Sequence, residues 1–468
     1  MSTGVGAPAA GETRRSGTWL SRGDDRARAV TLAALVVALL VVAIAAVPWS
    51  VLGHGAPPVE PVPRLDFTAQ QLATEAAFHG ALRPWTYSRL LLAVLVPVVL
   101  GLTPLGAWLV RRSGRALRGA WPAQVVLGTV ALTLVTVVVT LPLSVGAERV
   151  LRRYGLSTQT WPGWALDVAR GWAVATGTTA LLLLLLVALA RRWRRWWVAG
   201  GLVAAGFVVA GSFVYPVVIE PLSNSFTAMP AGPGRDNLIR LAARDGVPVD
   251  EVLVADASRR TTAENAYVSG LGATRRVVVY DTLLRGATPR EVELVVAHEL
   301  GHVKAHDVRL GTALGALAAA AVVVAASWLL QDRGPRRRAL LRAAGVAGAS
   351  DPAVVALVLA LVTVGSLASA PASTLVSRRI EARADVHALD LTQDVRGFAQ
   401  MQRRLAVTNL SDLQPAWWRT ALFSTHPSAP WRVAMARAWA QQHGLPGPEA
   451  VPAAPARNPA AAPPARAS

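Results

Sequence analysis

Residues 294–306 read LVVAHELGHVKAH, and they decide the fold because they place metal-ligand chemistry directly against apolar sequence. His298 and His302 stand four apart, with Glu299 beside the first. On a helix turning 100° per residue, that spacing leaves both imidazoles on one face, about 40° apart. This is the HExxH arrangement, two imidazoles for a zinc ion and a glutamate to serve as base. The same residues also occur as ordinary polar pairs on soluble helices, so the surrounding sequence has to choose.

Just upstream, TPREVELVVAHELGH starts a helix in the expected way: Thr288 as N-cap, Pro289 in the first turn and Glu291 as the capping-box acid. Further back, GRDNLIRLAARDG (234–246) predicts a short helix closed by Gly246. EVLVAD, NAYVSGL and RRVVVYD predict three short strands separated by turn residues. The stretch from 220 to 307 is therefore expected to form a small sheet beside a helix. Only the charged turn VKAHDVR separates the motif from the next apolar run, which brings the metal close to a membrane boundary.

That boundary follows from composition. Hydrophobic residues make up 53% of the 468 and mean hydropathy is +0.39, high for a soluble protein of this length. Apolar runs long enough to span about 30 Å of hydrocarbon lie near 29–47, 90–110, 123–146, 171–190, 198–219, 308–330 and 353–371. The net charge of +19 does not indicate a nucleic-acid partner. Lys304 is the one lysine, and the arginine excess accompanies abundant Ala, Gly, Val and Pro, as GC-rich coding produces. RRSGR (111–115) and RRWRRWW (191–197) sit between apolar runs, where basic and tryptophan residues form an interfacial belt. With no cysteine, a zinc ion has to be held by histidine and carboxylate.

Outside the spans, residues 1–28 and 445–468 are too rich in Pro, Ala and Arg to bury a core and are expected to be disordered. Residues 48–89 form a loop whose second half, FTAQQLATEAAFHGALRPW, has the pattern of an amphipathic helix after a proline-rich start. The domain plan is a membrane domain of five spans over 29–219 and a metalloprotease domain over 220–444 that includes the last two. A catalytic zinc needs a third protein ligand. SRRIEARADVHALDL (377–391) offers Glu381 and Asp385 four apart on one helical face, one for the metal and the other to orient a ligand histidine. On its own the same stretch also reads as an acid pair balancing Arg378, Arg379 and Arg383.

Five ordered motifs resemble the type I CAAX prenyl protease family of integral membrane zinc metalloproteases, related to the heat-shock-type membrane proteases of bacteria. They are YPVVIEPLSNSFTAMP (215–230), NAYVSGL leading into RRVVVYDTLL (265–284), ELVVAHELGHVKAHD (293–307), SRRIEARAD (377–385) and STHPSAPWRV (424–433); ERVLRRYGLSTQTW (148–161) extends the likeness. The resemblance implies a mainly α, polytopic membrane protein with about seven transmembrane helices and a small α+β zincin-like metalloprotease domain. It implies that His298, His302 and Glu381 bind one Zn2+ and that Glu299 is the general base. It further implies that Asp385 braces a ligand histidine and that His426 stabilises the oxyanion, with Arg432 as a structural or substrate-positioning partner. Without the family, His426 reads as a helix-cap histidine before Pro427.

Asn265 and Ala266 match the start of the strand that holds extended substrate. The implied partners are a peptide or protein substrate and the lipid bilayer of the cell membrane. His306 and His387 receive no role beyond polar residues near the interface. Two rival functions are a quality-control protease for misfolded membrane proteins and a seven-span receptor or carrier with an inactive motif. The second fits poorly, because such pathways need ionisable groups inside the spans and almost none occur. On orientation two arguments disagree. The positive-inside rule puts the arginine-rich loops in the cytoplasm and the zinc domain outside, whereas the family faces its metal domain to the cytosol.

Overall fold

The computed structural model describes residues 12–451 except 54, 223, 248, 250 and 270–275, and of 12–23, 116 and 269 the backbone only. Seven helices among the described residues are long and apolar enough to cross a bilayer: Asp24–Ala46, Ala69–Leu102, Trp121–Arg153, Trp161–Arg192, Trp196–Leu222, Asp307–Leu329 and Val354–Thr392. Hydrocarbon offers no partner to a free N–H or C=O, so a spanning segment has to satisfy its backbone within the helix. Large apolar side chains stay on the outer faces, with Leu202 72% and Ile44 68% exposed. On a water-soluble surface a continuous apolar band invites association, whereas lipid accommodates it. Between helices, small residues allow close approach. A Cβ built on Gly101 of the second span would sit 2.4 Å from Ala360 Cβ and 2.5 Å from the Ala356 carbonyl oxygen of the seventh.

The helices differ from the sequence expectation at three places. The second span was expected near 90–110, yet its helix starts at Ala69, on a Thr68–Gln71 capping box, and stops at Leu102. Pro104 lacks an N–H and forces Thr103 into extended geometry (φ −123°, ψ 165°), so a separate short helix, Pro104–Ser113, follows. The amphipathic stretch from Phe67 is thus mostly the extramembrane extension of the second span. Its Arg83 reaches Asp412 at 3.1 Å, tying it to the C-terminal lobe. The seventh helix likewise runs on past Pro371 to Thr392, so one rod leads from the bilayer to Glu381 and Asp385.

The third difference concerns the tails. The first helix begins at Glu12, inside the region expected to be disordered. Its Asp24 accepts from Arg194 Nε at 2.9 Å, so charges that look solvated in the sequence are neutralised across loops. Residues 445–451 also pack: Val451 N donates to the Leu65 carbonyl at 2.8 Å and Arg403 donates to the Glu449 carbonyl at 2.7 Å. The remainder of the two expected tails, 1–11 and 452–468, lies outside the described residues.

The extramembrane lobe contains a sheet of four strands, β1 (Phe226–Ala228), β2 (Glu251–Ala255), β3 (Ala266–Ser269) and β4 (Arg276–Tyr280), in the order β1-β2-β4-β3. β2 and β4 are parallel, and the two outer pairings are antiparallel. Three strands were expected. β1 is only three residues long and carries no alternation to read. The expected strand NAYVSGL is represented by β3, and its last two residues fall outside the described ones. The predicted short helix spans Pro233–Arg244, with Gly246 at φ +71° making the turn behind it. The motif helix, Pro289–Lys304, buries Val292, Leu294, Val296, Ala297 and Leu300 against Phe398, Met435 and Trp439. Each large apolar side chain so buried contributes roughly 1.5–3 kcal/mol, which fixes the helix rigidly under the sheet.

Candidate metal centre

The motif helix starts as its sequence dictates. Thr288 accepts from Glu291 N, Glu291 accepts from Thr288 N at 2.8 Å, and Pro289 occupies the first turn. Arg404 Nε donates to the same Glu291 at 2.9 Å, locking the helix start against the helix Val395–Thr408. Further along, Gly301 allows the seventh helix to come close. A Cβ there would lie 3.1 Å from both Ala384 Cα and His387 Cβ. This contact is what carries Glu381 to the histidines.

The donor atoms of His298, His302 and Glu381 all lie within 4.8 Å of one another. His298 Nε2 is 3.3 Å from His302 Nε2 and 3.3 Å from Glu381 Oε2, and His302 Nε2 is 3.6 Å from Glu381 Oε1. Glu381 Oε2 is buried and has no hydrogen-bond partner. Two imidazole nitrogens and a carboxylate facing one point in this way repel one another unless a cation sits among them. Two nitrogens and one oxygen are also the donor set that leaves a tetrahedral metal one open position. The excess negative charge shows on His298: burial opposes its charged form, but Asp385 and Glu381 outweigh that and raise its pKa to about 10. The residues present therefore fit a divalent ion.

Each of the two candidate ligand histidines is held from behind by an aspartate that is itself held by an arginine. His298 Nδ1 faces Asp385 Oδ1 at 2.9 Å, and Asp385, wholly buried, accepts from Arg432 Nε at 2.7 Å and from its Nη2. His302 Nδ1 faces Asp307 Oδ2 at 2.9 Å, and Arg383 donates to Asp307. Holding the ring at Nδ1 sets the tautomer that turns the Nε2 lone pair towards the metal position. Sequence reading set Asp385 behind a histidine, did not single out Asp307, and read Arg383 only as a cation balanced by Glu381 and Asp385, whereas it pairs with Asp307. The available signal was an acid five residues after His302, in HVKAHD. Arg432 was expected as a structural or substrate-positioning partner; its guanidinium is engaged by Asp385.

Glu299 is half-buried on the wall of a cavity of about 950 Å³ that also contains His298, His426 and Asn265. Burial pushes its carboxyl above the usual range, while His298 and His302 pull the other way. His426 stands in the loop between helices Trp417–Phe423 and Ala429–Gln442. Its side chain is 58% exposed, with Nε2 3.3 Å from Glu381 Oε2 and Nδ1 3.0 Å from Thr425 Oγ1. It caps no helix. Asn265 precedes edge strand β3, and its carbonyl accepts from Tyr280 N at 3.0 Å. Ala266 faces the core and is buried.

The histidines without an assigned role have structural ones. His306 turns the corner into the sixth span at φ +57°. His387 Nε2 bonds Asp245 at 3.0 Å, and Lys304 bonds the same aspartate at 2.7 Å. Among the described residues Glu75, His79 and Asp412 also cluster. Arg83 and Arg419 already neutralise Asp412, at 3.1 and 3.2 Å, and His79 Nε2 is bonded to the Leu410 carbonyl at 3.0 Å. Two guanidiniums beside a donor set exclude a second cation, so this cluster is an ion-pair tether.

Seven spanning helices and an HExxH helix closed by a distant glutamate define the class as a multi-pass membrane metalloprotease. Known proteins give the family. The model for peptidase family M48 matches residues 235–440, and that for the CAAX prenyl protease N-terminal region, five membrane helices, matches 86–225. The uncharacterized metalloprotease YhfN of Bacillus subtilis (strain 168) is 32% identical over 300 residues, 64% of this chain and 69% of that one. A CAAX prenyl protease 1 homolog of Oryza sativa subsp. japonica is 32% identical over 238 residues, 47% of this chain and 52% of the rice protein. The crystal structure of S. mikatae Ste24p shares the fold, with a TM-score of 0.71 at 20% identity, covering 87% of this chain and 98% of that one. The chain belongs to peptidase family M48.

Proposed function

We propose that this protein is a zinc-dependent endopeptidase that hydrolyses peptide bonds of substrates presented at the membrane, as its likeness to CAAX prenyl proteases suggests. The observation that carries the reading is the convergence of His298, His302 and Glu381 on one point with Glu299 beside it. Zinc held by His298, His302 and Glu381 would supply Lewis-acid polarisation of the scissile carbonyl and acidify the attacking water. Glu299, on the cavity wall, would take a proton from the attacking water and return it to the leaving amine. His426, beside the Glu381 carboxylate, donates from Nε2 to the oxyanion as it forms, a contribution of a few kcal/mol once bound substrate covers the exposed ring.

Substrate backbone adds to the edge of β3 next to Asn265, an edge that pairs with no further strand among the described residues, so main-chain pairing provides affinity with little demand on sequence. Asp385–Arg432 and Asp307–Arg383 keep both imidazoles aimed throughout. The test is Glu299→Gln, assayed with a fluorogenic peptide beside a metal determination. The expected result is retained stoichiometric metal with a rate at least about a thousandfold lower. Cleavage at the parent rate sinks the assignment of the base.

A further inference from the structure

The bilayer boundary opposite the metal centre holds a buried guanidinium with donors that nothing accepts. The sixth span leaves the motif helix at Asp307 and ends at Leu329, and the first and fifth spans both pack against it. At its far end Arg28 of the first span lies over the Trp197 ring of the fifth, with Cζ 5.5 Å from the ring centroid. Arg28 and Trp197 are 5% and 4% exposed. Arg28 Nε and Nη1 are buried without a hydrogen-bond partner, and so is Trp197 Nε1. Arg28 meets Asp25 only at 3.6 Å. Arg333 and Arg337, at the start of the helix after the sixth span, reach the same carboxylate at 3.4 and 3.5 Å. The neighbouring Asp24 is engaged by Arg194 at 2.9 Å.

Three guanidiniums thus converge on one carboxylate, each farther away than the roughly 2.7–2.9 Å of a charge-assisted bond, and the local charge is positive. Buried donors are nearly always paired, so those of Arg28 and Trp197 call for an acceptor, and the surplus charge requires that acceptor to be an anion. A phosphate offers several oxygens and matches the guanidinium fork. Its source follows from depth. Arg28 lies within the first span, Asp24–Ala46, and Trp197 and Trp328, the latter under Arg337 at 4.5 Å, sit where tryptophans mark the headgroup level. Further into the bilayer Val30, Val198 and Leu202 face outward, so a phosphate entering here has apolar side chains beside it for acyl chains. A choline-type headgroup would bring a second cation into a positive site, whereas an anionic one does not. We propose that Arg28, Arg333, Arg337 and Trp197 form a site for the phosphate of an anionic phospholipid, as basic pockets between spans do for lipid headgroups.

The test titrates the full-length protein in detergent micelles with phosphatidylglycerol, with phosphatidylcholine of the same acyl chains, and with inorganic phosphate. Bound lipid is counted by native mass spectrometry, and melting is followed by tryptophan fluorescence. Phosphatidylglycerol is expected to be held at least about tenfold more tightly than phosphatidylcholine, as bonds to a charged group require, and to raise the melting temperature. Arg28→Gln and the pair Arg333→Gln/Arg337→Gln are expected to lose that preference. Arg338→Gln, which removes an exposed charge of the same face paired with Asp332 at 3.7 Å, is expected to keep it.

Equal retention of the two lipids by the parent overturns the site, and so does a preference that persists in the folded variants. An equal fall in Arg338→Gln reduces the effect to the general charge of this face and overturns it as well. If inorganic phosphate displaces phosphatidylglycerol at matched concentration, the site takes a free anion and the lipid assignment fails. Should Arg28→Gln not fold, the Arg333→Gln/Arg337→Gln pair, whose side chains are only half-buried, has to lose the preference on its own.

Discussion

Replacing Asp385 with asparagine tests the arrangement of the metal centre at its most buried point. The side chain is 0% exposed, faces His298 Nδ1 at 2.9 Å and accepts from Arg432 at 2.7 Å. Asparagine keeps the volume and one acceptor but removes the negative charge from between an imidazole and a guanidinium. Loss of an aspartate bracing a ligand histidine weakens metal binding about ten- to hundredfold, equivalent to about 1.4–2.7 kcal/mol. Arg432 separately loses a charged partner in a buried place, and a charge-assisted hydrogen bond of that kind is worth about 1.5–3 kcal/mol of fold stability.

The two effects are read independently. Competition against a fluorescent zinc chelator gives the affinity, and thermal unfolding of the metal-free protein gives the stability. Asp307→Asn serves as the comparison. His302 is more exposed than His298, with side-chain exposures of 20% and 9%, so water can partly replace its brace and the affinity loss should be smaller. The reasoning is refuted if Asp385→Asn lowers the melting temperature while metal affinity stays at the parent value. Asp385 would then only neutralise Arg432 and would not aim the ring.

Further outcomes follow from the same geometry. Glu381→Ala removes one of three donors and should abolish stoichiometric metal after dialysis; full retention would show that another group completes the set. His426→Ala should keep the metal and slow turnover by roughly one to two orders of magnitude, since one oxyanion donor is lost; equal metal loss would make it a ligand. Gly301→Val forces the motif helix away from Ala384 and His387. Both metal affinity and thermal stability should fall together, overpacking costing about 1–3 kcal/mol, and an unchanged melting curve would count against close packing of the two helices.

The site was legible where chemistry and period coincide. HELGH announced two imidazoles on one face because four residues return a helix to the same side, and the capping box announced where that helix begins. The seven spans were legible because hydrocarbon imposes length and apolarity on any segment that crosses it. The end of the second span was misjudged because hydropathy averages across Pro104, whereas the backbone leaves the helix at Thr103 ahead of it, although Pro84 and Pro97 are carried within the same helix. The first helix was read as tail up to residue 28 because the arginines that partner Asp24, Arg194 and Arg195, lie about 170 residues away. β1 was missed because three residues carry no measurable alternation, and Asp307 was missed because the role of an acid depends on which ring it faces.

What the residues alone determined is what periodicity and composition dictate: membrane helices, a motif helix and the two imidazoles on it. What only the tertiary structure decided is that Glu381 comes to the two imidazoles, that Asp385 and Asp307 stand behind them, and that β3 lies at one end of the sheet. These depend on how near two distant helices come. That distance is set by the small residues at their contact, Gly301 against Ala384, through a packing force that acts between surfaces and leaves no local pattern in either segment.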